Sequence, residues 1–134
     1  MSCEEEAFIQ RFESALIPRS GWTHAAHIKM AYLYLKQYGD WQTALPIVRR
    51  GIQKLNQANK VYDGYHETIT VSFLRIMADR LKHPKNADWT YFEQNNSDLF
   101  DYRLPIFLRY YAKETIFSAE ARERFVTSDL IALP

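Results

Sequence analysis

Apolar side chains recur at spacings of three and four residues along most of this 134-residue chain, which is the pattern of amphipathic helices. The first such segment runs from Glu4 to about Leu16, and Pro18 ends it. With only 4 glycines and 5 prolines, the chain has few residues for the many tight turns of a β architecture. The sequence therefore predicts an all-α fold, a compact single-domain bundle of five to seven helices over residues 1–134.

Capping residues indicate where two further helices begin. Thr23 is expected to cap a helix that runs to Tyr38 and has its polar face at Lys29, Tyr32 and Lys36. Asp40 is expected to cap the next helix, in which Pro46 predicts either a late start or a kink. A fourth helix is predicted over about residues 65–82.

The last third of the chain is predicted to be less regular. A short helix is expected at residues 88–92, followed by a helix over residues 99–113 with a discontinuity at Pro105, because proline disfavours helical backbone in the preceding residue. Ser118 is expected to cap a short final helix. The apolar tail, residues 128–134, is expected to pack on the body of the domain.

Charge and composition restrict the kind of partner. The 17 basic and 16 acidic residues give a net charge of +1, so no basic surface for nucleic acid or for an anionic membrane is expected. No apolar run approaches the roughly 18 residues that a membrane-spanning helix needs. The acidic start of the chain is the reverse of a signal peptide, and the single cysteine excludes an intramolecular disulfide. These features predict a cytoplasmic protein.

Three of the four histidines lie in two short segments, and these segments carry the functional prediction. His24 and His27 are three residues apart, so their rings lie on one side of a helix turn, and His66 is expected to face inward as well. Burial and the positive end of a helix both favour neutral imidazole, the form that binds metal ions. One hypothesis is therefore that His24, His27 and His66 bind one divalent transition metal, Zn, Fe or Ni.

Neighbouring residues complete this hypothesis. Glu67 is rotated by about 100° from His66 on a helix, so it is predicted to be a catalytic general base that acts through water rather than a metal ligand. Trp22, Tyr65 and Thr70 are predicted to line the opening that binds a small polar molecule. The protein would then be a metal-dependent enzyme or a metal-binding protein.

Two alternatives use the same residues without a metal. In one, the pocket binds a small ligand, or the aromatic surface binds a protein partner or a second copy of the chain as a homo-oligomer. In the other, the three histidines form a structural hydrogen-bond network that ties helix ends together. The chain has no His-Glu-x-x-His, Gly-x-Ser-x-Gly or glycine-rich phosphate motif, so peptidase, serine-hydrolase and nucleotide-binding functions are not supported.

Three separated motifs resemble those of a family of short, uncharacterised, mainly bacterial helical proteins. The motifs are Trp22-Thr23-His24-Ala25-Ala26-His27, Gly64-Tyr65-His66-Glu67-Thr68-Ile69-Thr70, and Tyr110-Tyr111 followed by Ser118-x-x-Ala121-Arg122 and Asp129-Leu130. The similarity extends from about Phe12 to Pro134. It implies a helical fold and a site at the first two motifs. It implies no reaction, because this family has no assigned activity.

Overall fold

The computed structural model describes residues 1–134, and it contains helices and turns but no strand. The α-helices are α1 (Cys3–Glu13), α2 (His24–Tyr38), α3 (Trp41–Ala58), α4 (Glu67–Arg80), α5 (Trp89–Asn95), α6 (Ser97–Phe100), α7 (Phe107–Tyr110), α8 (Lys113–Ile116) and α9 (Ala119–Glu123), and two 3₁₀ turns lie at Arg19–Gly21 and Pro84–Ala87. The all-α prediction is confirmed, whereas the predicted five to seven helices are fewer than the nine observed. None of these helices combines the length and the apolar character that crossing a bilayer requires.

The chain divides into two compact units, Met1–Tyr65 and His66–Pro134. The first unit contains α1, α2 and α3, and the second contains the six shorter or later helices from α4 to α9. The longest helices are α2 and α3 in the first unit and α4 in the second. The expectation of one domain over residues 1–134 stays a prediction.

In the first unit α2 packs along α3, and α1 contacts both of them. Seven residues of α2 are buried, and Tyr32 and Tyr34 are each only 1% exposed. The prediction that Tyr32 lies on the outer, polar face of this helix was therefore wrong. Because α2 is covered from more than one side, its apolar surface is wider than the single stripe that a three-four spacing describes.

The predicted caps of the first unit are present. The Thr23 hydroxyl accepts a hydrogen bond from the amide of Ala26 at 3.1 Å, and the Asp40 carboxylate accepts one from the amide of Thr43 at 2.7 Å. Such side chains satisfy amide groups that have no partner within the helix. Pro46 lies inside α3, which begins at Trp41, so the helix does not start late.

In the second unit α4 packs against α9, α9 contacts α8, and α5 packs against the 3₁₀ turn at Pro84–Ala87. The helix predicted to begin near Tyr65 begins instead at Glu67, and His66 precedes it with an extended backbone (φ −137°, ψ 109°). His66 is therefore the N-cap of α4 rather than a member of its first turn. At this position its imidazole can accept a hydrogen bond from an amide in the first turn of α4.

The helix predicted over residues 99–113 does not form as such. The turn α6 ends at Phe100, residues 101–106 are not helical, and α7 is a single turn. Leu104, the residue before Pro105, has a left-handed backbone (φ 55°). Proline excludes the ordinary helical conformation from the residue before it, so the interruption extends over several residues.

Polar bonds rather than apolar packing fix the tail. The predicted contact of the tail with the body is present, but Leu130 and Ile131 are 57% and 56% exposed, so burial of these side chains does not produce it. Asp129 instead accepts hydrogen bonds from the amide of Ala112 at 2.8 Å and from the hydroxyl of Thr115 at 2.6 Å. A run of apolar residues predicts burial, but polar contacts with the body, this carboxylate among them, determine how the segment lies.

Candidate functional site

The first histidine motif forms a stack of aromatic rings in the first unit. The ring centroids of Trp22 and His27 are 3.9 Å apart with an interplanar angle of 33°, and Trp22 also stacks on Phe12 at 5.4 Å. The Nδ1 of His27 lies 2.8 Å from the carbonyl oxygen of Thr23 and donates its proton to it. In a neutral imidazole with the proton on Nδ1, the lone pair is on Nε2.

The surroundings of His27 keep it neutral. Burial lowers the pKa of His27 below its ordinary value of 6.5, the charge of His24 adds to this effect, and the bond to the Thr23 carbonyl opposes it. His24 is half-buried at the first position of α2. The first unit therefore brings together Trp22, His24 and His27, and one of these rings offers a basic nitrogen near neutral pH.

The indole of Trp22 has an unsatisfied donor. Its Nε1 is buried and has no hydrogen-bond partner in the structure. Buried indole N–H groups usually find an acceptor, and the exceptions need a specific explanation. In Trp22 this group belongs to the ring that stacks on His27, so a donor without a partner and an acceptor nitrogen lie on adjoining rings.

The second histidine motif is arranged differently. The Nδ1 of His66 accepts a hydrogen bond from the amide of Ile69 at 3.1 Å, which caps α4. Its Nε2 lies 2.7 Å from the carbonyl oxygen of Ile116 and donates to it. Because one nitrogen accepts and the other donates, the ring is neutral and both nitrogens are in use. This arrangement disfavours a metal-ligand role for His66, since no lone pair is left for a metal ion.

The pKa of His66 is lowered from 6.5, first by burial and then by the charge of Arg122, while the bond to the Ile116 carbonyl acts in the opposite direction. Protonation would place a second N–H at Nδ1, where it would face the amide of Ile69. The cap of α4 is therefore incompatible with imidazolium. The neutral ring therefore connects the start of α4 to the end of α8 through two hydrogen bonds.

The polar residues that follow His66 bind backbone groups of the same unit. The Thr68 hydroxyl donates to the carbonyl of Arg124 at 2.8 Å and accepts from the amide of Val126 at 3.0 Å. The Thr70 hydroxyl donates to the carbonyl of His66 at 2.8 Å. Hydroxyls bonded in this way tie the chain together, and Thr70 does so within the first turn of its own helix.

The two other predicted site residues flank His66 in the sequence. Glu67 is the first residue of α4 and is half-buried, a position where a carboxylate is favoured by the positive end of the helix dipole. Tyr65 is the last residue of the first unit and is also half-buried. The general-base role of Glu67 and the ligand-binding role of Tyr65 stay predictions.

A further polar group in the second unit was missed from the sequence. The hydroxyl of Tyr111 donates to the carbonyl of Val126 at 2.6 Å and lies 3.2 Å from the hydroxyl of Ser72, 39 residues earlier in the chain. Burial raises the pKa of Tyr111. The Tyr110-Tyr111 motif indicates aromatic packing in the core and at its rim, but nothing in the sequence predicts the contact of Tyr111 with Ser72.

The structure contains no group of three or more His, Cys, Asp or Glu side chains placed to hold a metal ion. The predicted ligands His24 and His27 belong to the first unit, and His66 belongs to the second. The three-histidine centre and its metal remain a hypothesis from the sequence.

No family model matches the chain, and no curated protein and no solved structure shows significant similarity to it. The resemblance to a family of uncharacterised bacterial proteins accordingly stays a prediction. The hydrogen bonds, burial and charge of the residues described above are therefore the evidence for a function.

Proposed function

We propose that this protein is a metal-free binding module for a small polar molecule, with Trp22 and His27 as ligand contacts and His66 as a structural residue. The observation that carries the proposal is that both nitrogens of His66 are bonded to backbone groups of its own unit. A transition metal needs an imidazole lone pair, and His66 has none to offer in this state. His27, in contrast, keeps the lone pair of Nε2.

The chemistry of the stacked rings defines the ligand class. The indole N–H of Trp22 is a donor without a partner, and the Nε2 of the neutral His27 ring is an acceptor. A hydroxyl or a primary amide has both the acceptor and the donor that these two groups require. Neither ring carries a charge in this state, which favours an uncharged ligand over an ion.

A first experiment tests whether the protein is metal-free. Untagged protein, purified without added metal, is analysed for transition metals and by long-range ¹H–¹⁵N NMR of its imidazole rings. We expect metal far below one ion per chain, the His66 proton on Nε2 and the His27 proton on Nδ1, as the hydrogen bonds require. Near-stoichiometric metal that is lost in a folded His66→Ala variant would overturn the proposal and favour the metal-dependent enzyme with Glu67 as base.

A second experiment tests the ligand contacts. Acetamide, which has both a donor and an acceptor, serves as the probe in an NMR titration that follows the indole N–H signals and the His27 ring. We expect saturable shifts at Trp22 and His27 that disappear in the Trp22→Phe variant, which removes the N–H but keeps an aromatic ring. Trp89→Phe, a tryptophan of the second unit, is the matched control and is expected to leave the shifts unchanged. Equal responses of both variants would argue against the contacts proposed here.

A further inference from the structure

We infer that the second unit contains a separate binding site for a neutral, polyhydroxylated molecule of monosaccharide size, in a cavity between the end of α4 and α5. This cavity is an open depression of about 250 Å³, lined by Asp79, His83, Tyr91 and Asn95, of which all but Tyr91 are exposed. Cavities for drug-sized ligands are larger, roughly 300–1,000 Å³, so a smaller molecule fits this one. This inference does not depend on the proposed function, which concerns residues of the first unit.

The floor of the cavity is a closed network of polar side chains. Arg80 donates two hydrogen bonds to the carboxylate of Asp98, at 2.7 and 2.6 Å, and a third to the side-chain carbonyl of Asn96 at 3.1 Å. Asn96 donates to Asn86 at 3.2 Å, and Asn86 donates to the backbone carbonyl of Arg80 at 2.8 Å. Asn86 and Asn96 are 8% and 6% exposed. A network whose members satisfy one another is rigid, so the floor is preorganised.

The walls present hydrogen-bonding groups of both kinds. The Nδ1 of His83 accepts from the amide of Lys85 at 3.2 Å, so the proton of the neutral ring is on Nε2, which is a donor. The side-chain nitrogen of Asn95 donates to the carbonyl of Tyr91 at 2.9 Å, which leaves its oxygen as an acceptor. The Tyr91 hydroxyl can act in either role. Alcohol groups match all three, because each hydroxyl both donates and accepts.

The charges around the cavity exclude an ionic ligand as the best match. The guanidinium of Arg80 is neutralised by Asp98, and Asp79 lies 3.4 Å from the ammonium group of Lys82. An anion would meet the Asp79 carboxylate with no uncompensated cation beside it. A cation would compete with Lys82 for a carboxylate that is well exposed to water, where ion pairs contribute little. A neutral ligand meets neither obstacle, and the half-buried ring of Tyr91 offers an apolar face for its C–H groups.

The test is an NMR titration of the full chain with four separate probes: glucose, galactose, ribose and myo-inositol. We expect at least one probe to give saturable shifts of the Asn95 side-chain amide and the His83 ring. Asn95→Ala removes one acceptor from the wall and is expected to weaken that binding by about tenfold. Gln94→Ala, its exposed neighbour on α5, is the matched control and is expected to bind like the unchanged protein.

Several results would overturn the inference. These are the absence of saturable shifts with all four probes, equal affinity of the Asn95→Ala and Gln94→Ala variants, or binding of the diamine putrescine in place of every sugar. If Asn95→Ala does not fold, His83→Ala makes the same test, because His83 is exposed and lies outside the buried network of the floor. Trp22→Phe is expected to leave sugar affinity unchanged, so this site and the one in the first unit can fail independently.

Discussion

Gly51 of α3 lies at a point of very close packing in the first unit. A Cβ atom placed on Gly51 would lie 2.3 Å from the Cε2 and Cζ atoms of Phe12, far inside van der Waals contact. Phe12 is fully buried, and its ring contacts Trp22 and Tyr34 at centroid distances of 5.4 and 6.0 Å. The phenyl ring therefore has little space to move. Glycine is required here by the close approach of α1 and not by an unusual backbone conformation.

Gly51→Ala is consequently expected to destabilise the protein. Overpacking of a filled core costs about 1–3 kcal/mol, and the better helix propensity of alanine returns at most about 1 kcal/mol of this. Urea denaturation followed by circular dichroism measures the difference. The Trp22 indole signal should shift in the same variant, because Phe12 stacks on it.

Gly21→Ala is the matched control. Its Cβ would find its nearest neighbour, a side-chain carbon of Ile17, at 3.5 Å, which is ordinary contact. We expect its free energy of unfolding to change by less than about 0.5 kcal/mol. If Gly51→Ala were as stable as this control, the packing of Phe12 would not be the constraint described here.

At the scale of elements, the start of α4 organises the second unit through hydrogen bonds. Thr68, which is fully buried, satisfies one carbonyl and one amide of the segment that follows α9. Thr68→Val keeps the shape of the side chain but leaves both backbone groups without this partner. We expect a loss of about 2 kcal/mol in the free energy of unfolding and faster hydrogen exchange at the amide of Val126.

Thr70→Val is the control for Thr68→Val. It shows whether the loss of stability is specific to Thr68 or follows from any threonine-to-valine substitution at the start of α4. The Thr70 hydroxyl donates only to the carbonyl of His66 in its own helix, and Thr70 is half-buried. Its loss is expected to cost less than about 1 kcal/mol and to leave the exchange of Val126 unchanged. Similar costs for the two variants would contradict the connecting role of Thr68.

The helix caps were predictable from the sequence, because each cap is a hydrogen bond between residues only three positions apart. Thr23, Asp40 and Ser118 each accept from an amide three residues later, as their positions before helical segments indicate. After α6, the discontinuity at Pro105 was predicted but its extent was not: residues 101–106 are not helical, and Leu104 has a left-handed backbone. Sequence periodicity describes which side chains share a face, and it does not test whether the backbone between them is allowed.

The candidate site was predictable only in part, for a related reason. The inward orientation of His66 was predicted from its place on the apolar stripe of the fourth helix, and the residue is indeed buried, although the helix begins one residue after it. Its partner Ile116 is 50 residues away in the chain and contributes a backbone carbonyl, which every residue has. A pattern of side chains in the sequence cannot predict a hydrogen bond to one particular backbone carbonyl. The sequence therefore leaves open whether His66 is a ligand or a structural residue.

For the whole molecule, the two units share a dependence on pH. His27 in the first unit and His66 in the second both have a pKa below 6.5, mainly because of burial. A histidine with a pKa that is lowered in the folded state takes up its proton more readily when the chain is unfolded. Its contribution to stability is therefore complete above about pH 6.5 and is lost as the pH falls through the folded pKa.

We expect the free energy of unfolding, measured with urea, to decrease between about pH 7 and pH 5. The carboxylates with lowered pKa values, among them Glu5 at about 2, contribute only at more acidic pH and do not account for a change in this range. His27→Gln should reduce the slope, because it removes one of the two buried imidazoles. A stability that stays constant over this range would show that neither ring is neutralised by burial.

The stack of Trp22 on His27 also has an optical consequence. Protonated imidazole quenches indole emission by accepting an electron from the excited ring, and neutral imidazole does so far less. Because the ring centroids are 3.9 Å apart, protonation of His27 should decrease the fluorescence intensity of Trp22 while the fold is still intact. The protein thus carries its own fluorescent reporter of the state of this imidazole, and it needs no attached dye.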